Sequence, residues 1–453
     1  MKIFFIVRIF LCVAQLFLFS YMVGMQDQQV AIAHTTAPRI SVPDESVSGV
    51  LAQRMPAKRV SAPDVFGSKI KEIIQKANPD LNIGVCITSP ENVLFTPYAK
   101  RATHLFMPAS VTKLFTAAAA LYLLGADYTL KTIMVTDGIQ AKDVLLGNLY
   151  ICGAGDPSFT QKDLENMFLE VKKMGVNKIA GNVYIDFSAF SEGLTEYFCC
   201  GACIDDVGKA WCPPVSPFII DSNVIIVNDK KGSVQDPHAH VYKIITEVLA
   251  KQAISYLTLS EVSGVPLNAR VMCLHESKSL RELVAHMLKV SDNLYANALF
   301  KILGAKSFGG QGTCEKGKQA LKNFLQTYVG IMPNEIVLED GAGLSRYNLV
   351  TPAQTVKLLT WIYEQPDLFD VFEKCLPACG VDGTLERRMI DHRGLVKAKT
   401  GSLYGCSALS GYIRAPGQPV IIFSIFINNY IYSKKSYKTA IEDEICAYII
   451  SLQ

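Results

Sequence analysis

The segment Pro108-Ala109-Ser110-Val111-Thr112-Lys113 leads into an alanine-rich run from Leu114 to Leu124, which Gly125 stops. Such a run has high helix propensity. Pro108 suits the entry to the helix and Gly125 its C-terminal stop. Ser110 and Lys113 are three residues apart, so they share one face at the first turn. A serine hydroxyl needs a neighbour to remove its proton, and a lysine amine desolvated against a helix can be neutral enough to do so. Free backbone N–H groups at the helix start lie where an oxyanion would form. Taken alone, the pair reads more readily as a serine near an N-cap and a solvated lysine, since Ser-x-x-Lys occurs by chance in many helices.

Two further stretches give it meaning. Ser291-Asp292-Asn293 sits between one helical pattern ending near Val290 and another running from Leu294 to Leu303. Lys399-Thr400-Gly401 closes the strand-like run Gly394 to Ala398 and is followed by Ser402. Ser-x-x-Lys, Ser-x-Asn and Lys-Thr-Gly, in that order, are the three signatures of penicillin-recognising serine enzymes.

The 181 residues from Ser110 to Ser291 exceed what one helical domain needs. Short strands and turns, with one helix near Leu164 to Met174, predict an inserted domain at 132–267, splitting a main domain at 64–131 and 268–453. The glycine run at 153–155 reads as a turn, since no Gly-Lys-Ser/Thr follows. In the main domain, a helix from Val65 to Lys76 precedes a hairpin of Leu81–Thr88 and Val93–Thr96. A helical pattern from Tyr242 to Ala253 follows the insertion, and Thr351 suits the cap of a helix from Pro352 to Tyr363. The Lys399 strand, two more near 408–413 and 420–427, and the hairpin predict a five-stranded antiparallel sheet. Helices from both chain ends, the last from Ser436 to Leu452, would cover it. The fold class is therefore α+β.

With 50% hydrophobic and 19% charged residues the chain is globular, and a net charge of +3 without a basic stripe gives no reason to expect nucleic acid. Residues 1–25 carry Lys2 and Arg8 before an apolar run, an export signal that is either cleaved or kept as a membrane anchor. Residues 26–63 turn polar and proline-punctuated, which predicts a flexible tether. Of thirteen cysteines, twelve lie beyond the leader, and outside the cytoplasm disulfides are the natural reading. The Cys199, Cys200, Cys203, Cys212 cluster lacks two separated Cys-x-x-Cys pairs, so no metal is assigned. His238 and His240 read as solvated loop residues.

The three signatures, together with Gly155-Asp156-Pro157-Ser158-Phe159-Thr160, Gly181–Asp186, Asp340-Gly341-Ala342-Gly343-Leu344-Ser345-Arg346 and Val381-Asp382-Gly383-Thr384-Leu385, resemble the low-molecular-mass class C penicillin-binding proteins. These are the D-alanyl-D-alanine carboxypeptidases and endopeptidases of peptidase family S13. The resemblance runs from about Val65 to the C-terminus and implies a transpeptidase-like domain, split by an insertion, in the periplasm or cell envelope. It implies peptidoglycan stem peptides as substrate, β-lactams as inhibitors and no cofactor. By the same resemblance Ser110 is the nucleophile, Lys113 its base and Ser291 a proton relay, while Asn293 holds the substrate amide. The backbone N–H groups of Ser110 and Ser402 would form the oxyanion hole. Lys399 and Thr400 would bind the terminal carboxylate, and Gly401 would leave the strand edge open. Asp186 and Arg346 match positions that form a pocket for the stem-peptide diamino acid; the other reading is an ion pair remote from catalysis. A second inserted domain found in many members is missing or reduced to a loop near Val227–Ser233. A β-lactamase and a catalytically silent envelope scaffold are the competing readings, and no oligomeric state is implied.

Overall fold

The computed structural model describes residues 65–92, 95, 97–199, 206–431 and 437–453. The leader and tether expected at 1–25 and 26–63 lie outside them.

The central sheet has five strands in the order Val396–Leu403, Cys406–Ile413, Ile421–Asn428, Asn82–Thr88, Tyr98–Lys100, all antiparallel. Cys406–Ile413 and Ile421–Asn428 are buried at every position, because helices cover both faces. Phe423, Ile425 and Ile427 pack with Ile70, Ile73 and Ile74 of helix Val65–Ala77 and with Ile445 and Ile449 of helix Glu444–Ser451. Ile422 and Phe426 face the opposite way, into a larger core built on helices Thr112–Leu124, Asn293–Phe308 and Pro352–Tyr363. Thr351 caps the last of these, its side chain accepting from Gln354 N at 3.0 Å.

The strand beside Asn82–Thr88 differs from expectation. Val93, Leu94 and Thr96 lie outside the described residues, and the pairing strand is Tyr98–Lys100. Tyr98 anchors it with a buried ring set edge-on to Phe66.

A second five-stranded sheet is mixed, in the order Leu259–Val262, Val183–Asp186, Leu149–Cys152, Lys131–Thr136, Arg270–Glu276. Helices Gln161–Lys173 and Pro237–Lys251 cover it around a separate core. This corrects two expectations. The helix read as following the insertion instead contributes Val241, Ile245, Val248 and Leu249 to that core. The sheet also runs past residue 267, since Arg270–Glu276 pairs with Lys131–Thr136. A helical period reports an apolar face, not which core the face enters.

The stretch near Val227 is a two-stranded hairpin, Val224–Val227 with Lys230–Ser233, turned by Asn228 and Asp229 at φ 50° and 60°. Positive φ at both turn residues matches the right-handed twist of the strands. Among the described cysteines one pair, Cys199–Cys314, is bonded, and eight are free thiols. His238 is no loop residue. It lies in the first turn of Pro237–Lys251, between Glu192 and Glu261 at 2.6 and 2.8 Å and stacked on Phe187.

Candidate active site

Thr112–Leu124 is buried from Thr112 to Leu121, and its alanines let neighbouring helices approach. Ahead of it, Ala109 takes a left-handed conformation at φ 48°, and the 3-10 turn Ala109–Val111 sets Ser110 one turn before Lys113. Lys113 Nζ lies 3.0 Å from Ser110 Oγ, 2.6 Å from Asn293 Oδ1 and 2.6 Å from Ala342 O. The amine is fully buried. Burial brings its pKa down to about 7, against the opposing pull of Asp340 and Asp292.

The Asp340–Arg346 loop shows what the glycine-punctuated motif does. Asp340, itself buried, accepts from the backbone N–H groups of Ala342, Gly343 and Ser345 at 3.0, 2.5 and 2.7 Å. That wraps the loop so that the Ala342 carbonyl faces Lys113 and the Gly341 carbonyl accepts from Thr116 Oγ1 at 2.7 Å. Gly343 has φ 82°, and a Cβ there would sit on the Ala109 carbonyl oxygen.

Ser291 stands at φ 64°, just before Asp292, whose carboxylate caps helix Asn293–Phe308 by accepting from Tyr295 N. Asn293 spends both ends of its amide inside the protein: Oδ1 accepts from Lys113, and Nδ2 donates to Trp211 O at 2.8 Å. From the edge strand, Lys399 Nζ donates to Ser291 Oγ at 2.9 Å and to Thr400 O at 2.8 Å. Burial, then the charges of Lys113 and Lys438, pulls the Lys399 amine well below its ordinary pKa. Gly401 serves packing: a Cβ there would come 2.6 Å from Pro108 O, so the glycine lets the strand lie on the nucleophile turn. Ser110, Ser291, Thr400 and Ser402 line one cleft of about 370 Å³.

A family model described as "D-Ala-D-Ala carboxypeptidase 3 (S13)" matches residues 67–233 and 228–448. The chain belongs to this S13 family. The two matched segments meet at the Val224–Ser233 hairpin. The S13 chain is 28% identical over 450 residues to the D-alanyl-D-alanine carboxypeptidase DacB of Haemophilus influenzae, covering 85% of this chain and 93% of that one. It is 29% identical over 409 residues to a D-alanyl-D-alanine carboxypeptidase of an Actinomadura species, covering 73% and 75%. The crystal structure of penicillin binding protein 4 (dacB) from Haemophilus influenzae, complexed with a β-lactam, superposes with a TM-score of 0.72 at 25% identity, covering 85% of this chain and 99% of that one.

For the two remaining expected residues of the S13 chain, Asp186 and Arg346, the hydrogen-bond partners seen are backbone groups. Asp186 ends its strand and accepts from the backbone of Ser188 and Gly264 at 2.9 and 3.1 Å, closing a turn. Arg346 is exposed and donates to Tyr404 O at 3.1 Å. Neither lines the cleft with Ser110. Three cleft residues carried no assigned role in the sequence. Thr384 accepts from Thr400 Oγ1 at 2.8 Å, Lys438 donates to Ser402 Oγ at 2.6 Å, and Arg388 grips Asp443 and Glu442 while its Nη1 is buried without a partner. Thr384 lay inside a quoted motif, but Arg388 and Lys438 had no local signal.

Proposed function

We propose that this S13 chain is a serine-type D-alanyl-D-alanine peptidase of the cell envelope. It would cleave peptidoglycan stem peptides through an acyl-enzyme on Ser110, and β-lactams would acylate the same oxygen. The observation that carries the reading is the stoichiometry around Lys113. A neutral amine has two N–H bonds and one lone pair. The buried Nζ meets two acceptor oxygens, of Asn293 and Ala342, and one hydroxyl, of Ser110. With the two N–H bonds taken, the lone pair is aimed at the Ser110 proton.

In this mechanism Ser110 Oγ attacks the carbonyl of the penultimate D-alanine as Lys113 takes its proton. The backbone N–H groups of Ser110 and Ser402 receive the oxyanion, where one donor is worth on the order of 10² to 10³ in rate. Ser291, held by Lys399, relays to the leaving amine the proton that Lys113 took, so that both groups return to their starting state, and water then releases the acyl chain. Because Lys399 Nζ already serves Ser291 and Thr400 O, and the Thr400 hydroxyl donates to Thr384, the terminal carboxylate falls to the Ser402 hydroxyl, beside the positive charges of Lys438 and Arg388. Among the described residues no carboxylate lines the cleft, the group one class of β-lactamase uses to activate its deacylating water. Among the described residues no helix is long and apolar enough to cross a membrane.

The test is intact mass over time after mixing purified protein with benzylpenicillin. A long-lived adduct, lost in Ser110→Ala, is expected together with release of D-alanine from a D-Ala-D-Ala peptide. Rapid loss of the adduct with drug turnover would make the chain a β-lactamase. No adduct on folded protein would leave only a silent scaffold.

A further inference from the structure

Both ring nitrogens of His238 meet a carboxylate. Nε2 lies 2.6 Å from Glu192 Oε1, and Nδ1 lies 2.8 Å from Glu261 Oε1. A carboxylate accepts and does not donate, and a neutral imidazole carries only one N–H. Both contacts are therefore hydrogen bonds only when the ring is the imidazolium. Phe187 stacks on that ring with centroids 3.8 Å apart and planes 9° from parallel, an aromatic face that suits a cation. Against burial, which disfavours the charge, Glu261 and Glu192 raise the pKa of His238 above its ordinary value. Tyr197, Tyr242 and Asp236 are the other titratable groups about the glutamates, and the two phenols, raised in their turn, stay neutral through pH 9.

The imidazolium joins two parts of the molecule. His238 opens helix Pro237–Lys251 over the mixed sheet, and Glu261 lies on that sheet's edge strand, Leu259–Val262. Glu192 lies on a strap, Ala189–Cys199, which leaves the sheet and is fastened to other helices. Ser191 N donates to Gly312 O at 3.0 Å, Gly312 N donates to Ala189 O at 2.9 Å, and Cys199 is bonded to Cys314. Lys301, buried on helix Asn293–Phe308, donates to Ser191 O at 3.0 Å and lies 3.4 Å from Glu196. The two carboxylates of the strap are thus gripped from opposite sides, Glu196 by a lysine of the helix that begins at Asn293 and Glu192 by a histidine over the mixed sheet.

We propose that His238 is a proton-released pin: charged, it fastens the mixed sheet to the strap, and when it gives its proton to water one of its two carboxylate contacts fails and the strap opens from helix Pro237–Lys251. A group whose pKa is raised by folding gives its full stabilisation below its ordinary value, about 6.5, and loses it as pH climbs through the raised one. The joint is closed in acid and looser in alkali, whatever chemistry Ser110 performs.

Hydrogen exchange followed by mass spectrometry at pH 5.5 and 8.5, corrected for the intrinsic pH dependence of amide exchange, tests the pin. Protection of peptides spanning 187–198 and 237–245 is expected to fall with pH by a factor about tenfold larger in the native chain than in His238→Gln. Burial brings Lys301, beside the same strap, down to about 8, and the comparison with His238→Gln removes its share. Should that variant not fold, Glu192→Gln, which keeps one carboxylate, is expected to show a smaller fall than the native chain. Of the seven histidine ring signals in NMR, the one displaced in Glu192→Gln should titrate above about 6.5 in the native chain and drop in the variant. An equal fall in protection in native chain and variant, or a ring that titrates at or below its ordinary value, would overturn the pin.

Discussion

Burial brings Lys113 to about 7, so it is protonated in acid and cannot accept the Ser110 proton there. Acylation by benzylpenicillin is therefore expected to fall about tenfold per pH unit below that value and to level off above it. Asn293→Asp places a negative charge where a neutral oxygen now lies 2.6 Å from the amine, which favours the protonated form. The midpoint of the pH–rate profile should move up by about one unit or more; an unmoved midpoint would remove Lys113 from the role of base. At this scale much could be read in advance. Ser110, Lys113, Ser291, Asn293 and Lys399 fall in three short motifs, and the fold brings them together. Arg388 and Lys438 could not be read, because their place in the cleft depends on an ion pair between segments about 50 residues apart. Asp186 and Arg346 were named by likeness alone, and local geometry gives each a backbone partner instead.

Between elements, the closest fit is the Asp340–Arg346 loop against the nucleophile turn. Gly343→Ala adds a Cβ against the Ala109 carbonyl at a left-handed φ, a cost on the order of 1–3 kcal/mol. Urea unfolding should show that loss, and acylation should slow with it, since the same loop aims the Ala342 carbonyl at Lys113. The Cys199–Cys314 bond ties the end of helix Leu194–Phe198 onto helix Cys314–Phe324 across 115 residues. Its reduction should lower stability by about 2–5 kcal/mol, read as a drop in the urea midpoint that Cys199→Ser reproduces. The pairing itself was not legible, because spacing along a chain does not say which thiols meet. The strands of the central sheet were legible where apolar runs are long. The short partner Tyr98–Lys100 was missed because its identity comes from one buried ring.

For the molecule as a whole, Arg388 links the cleft to the segment before the last helix through Glu442, Asp443 and the Lys438 carbonyl. Glu442 is fully buried, and Arg388 opposes the upward push of burial on its carboxyl. Arg388→Ala strands that charge and should cost about 3–5 kcal/mol. It should also free Lys438 from its place, so weaker acylation by β-lactams bearing the carboxylate is expected, measured against stability in the same preparation. The strand order has a further consequence. Asn82–Thr88 pairs on one side with Ile421–Asn428, so the sheet under the nucleophile cannot close until nearly the whole chain has emerged from the ribosome. Ser110 is made early and waits for Lys399 and Lys438. A hydrolase built in this order is inert while it is being synthesised, and a nascent chain arrested midway carries a nucleophile but no enzyme.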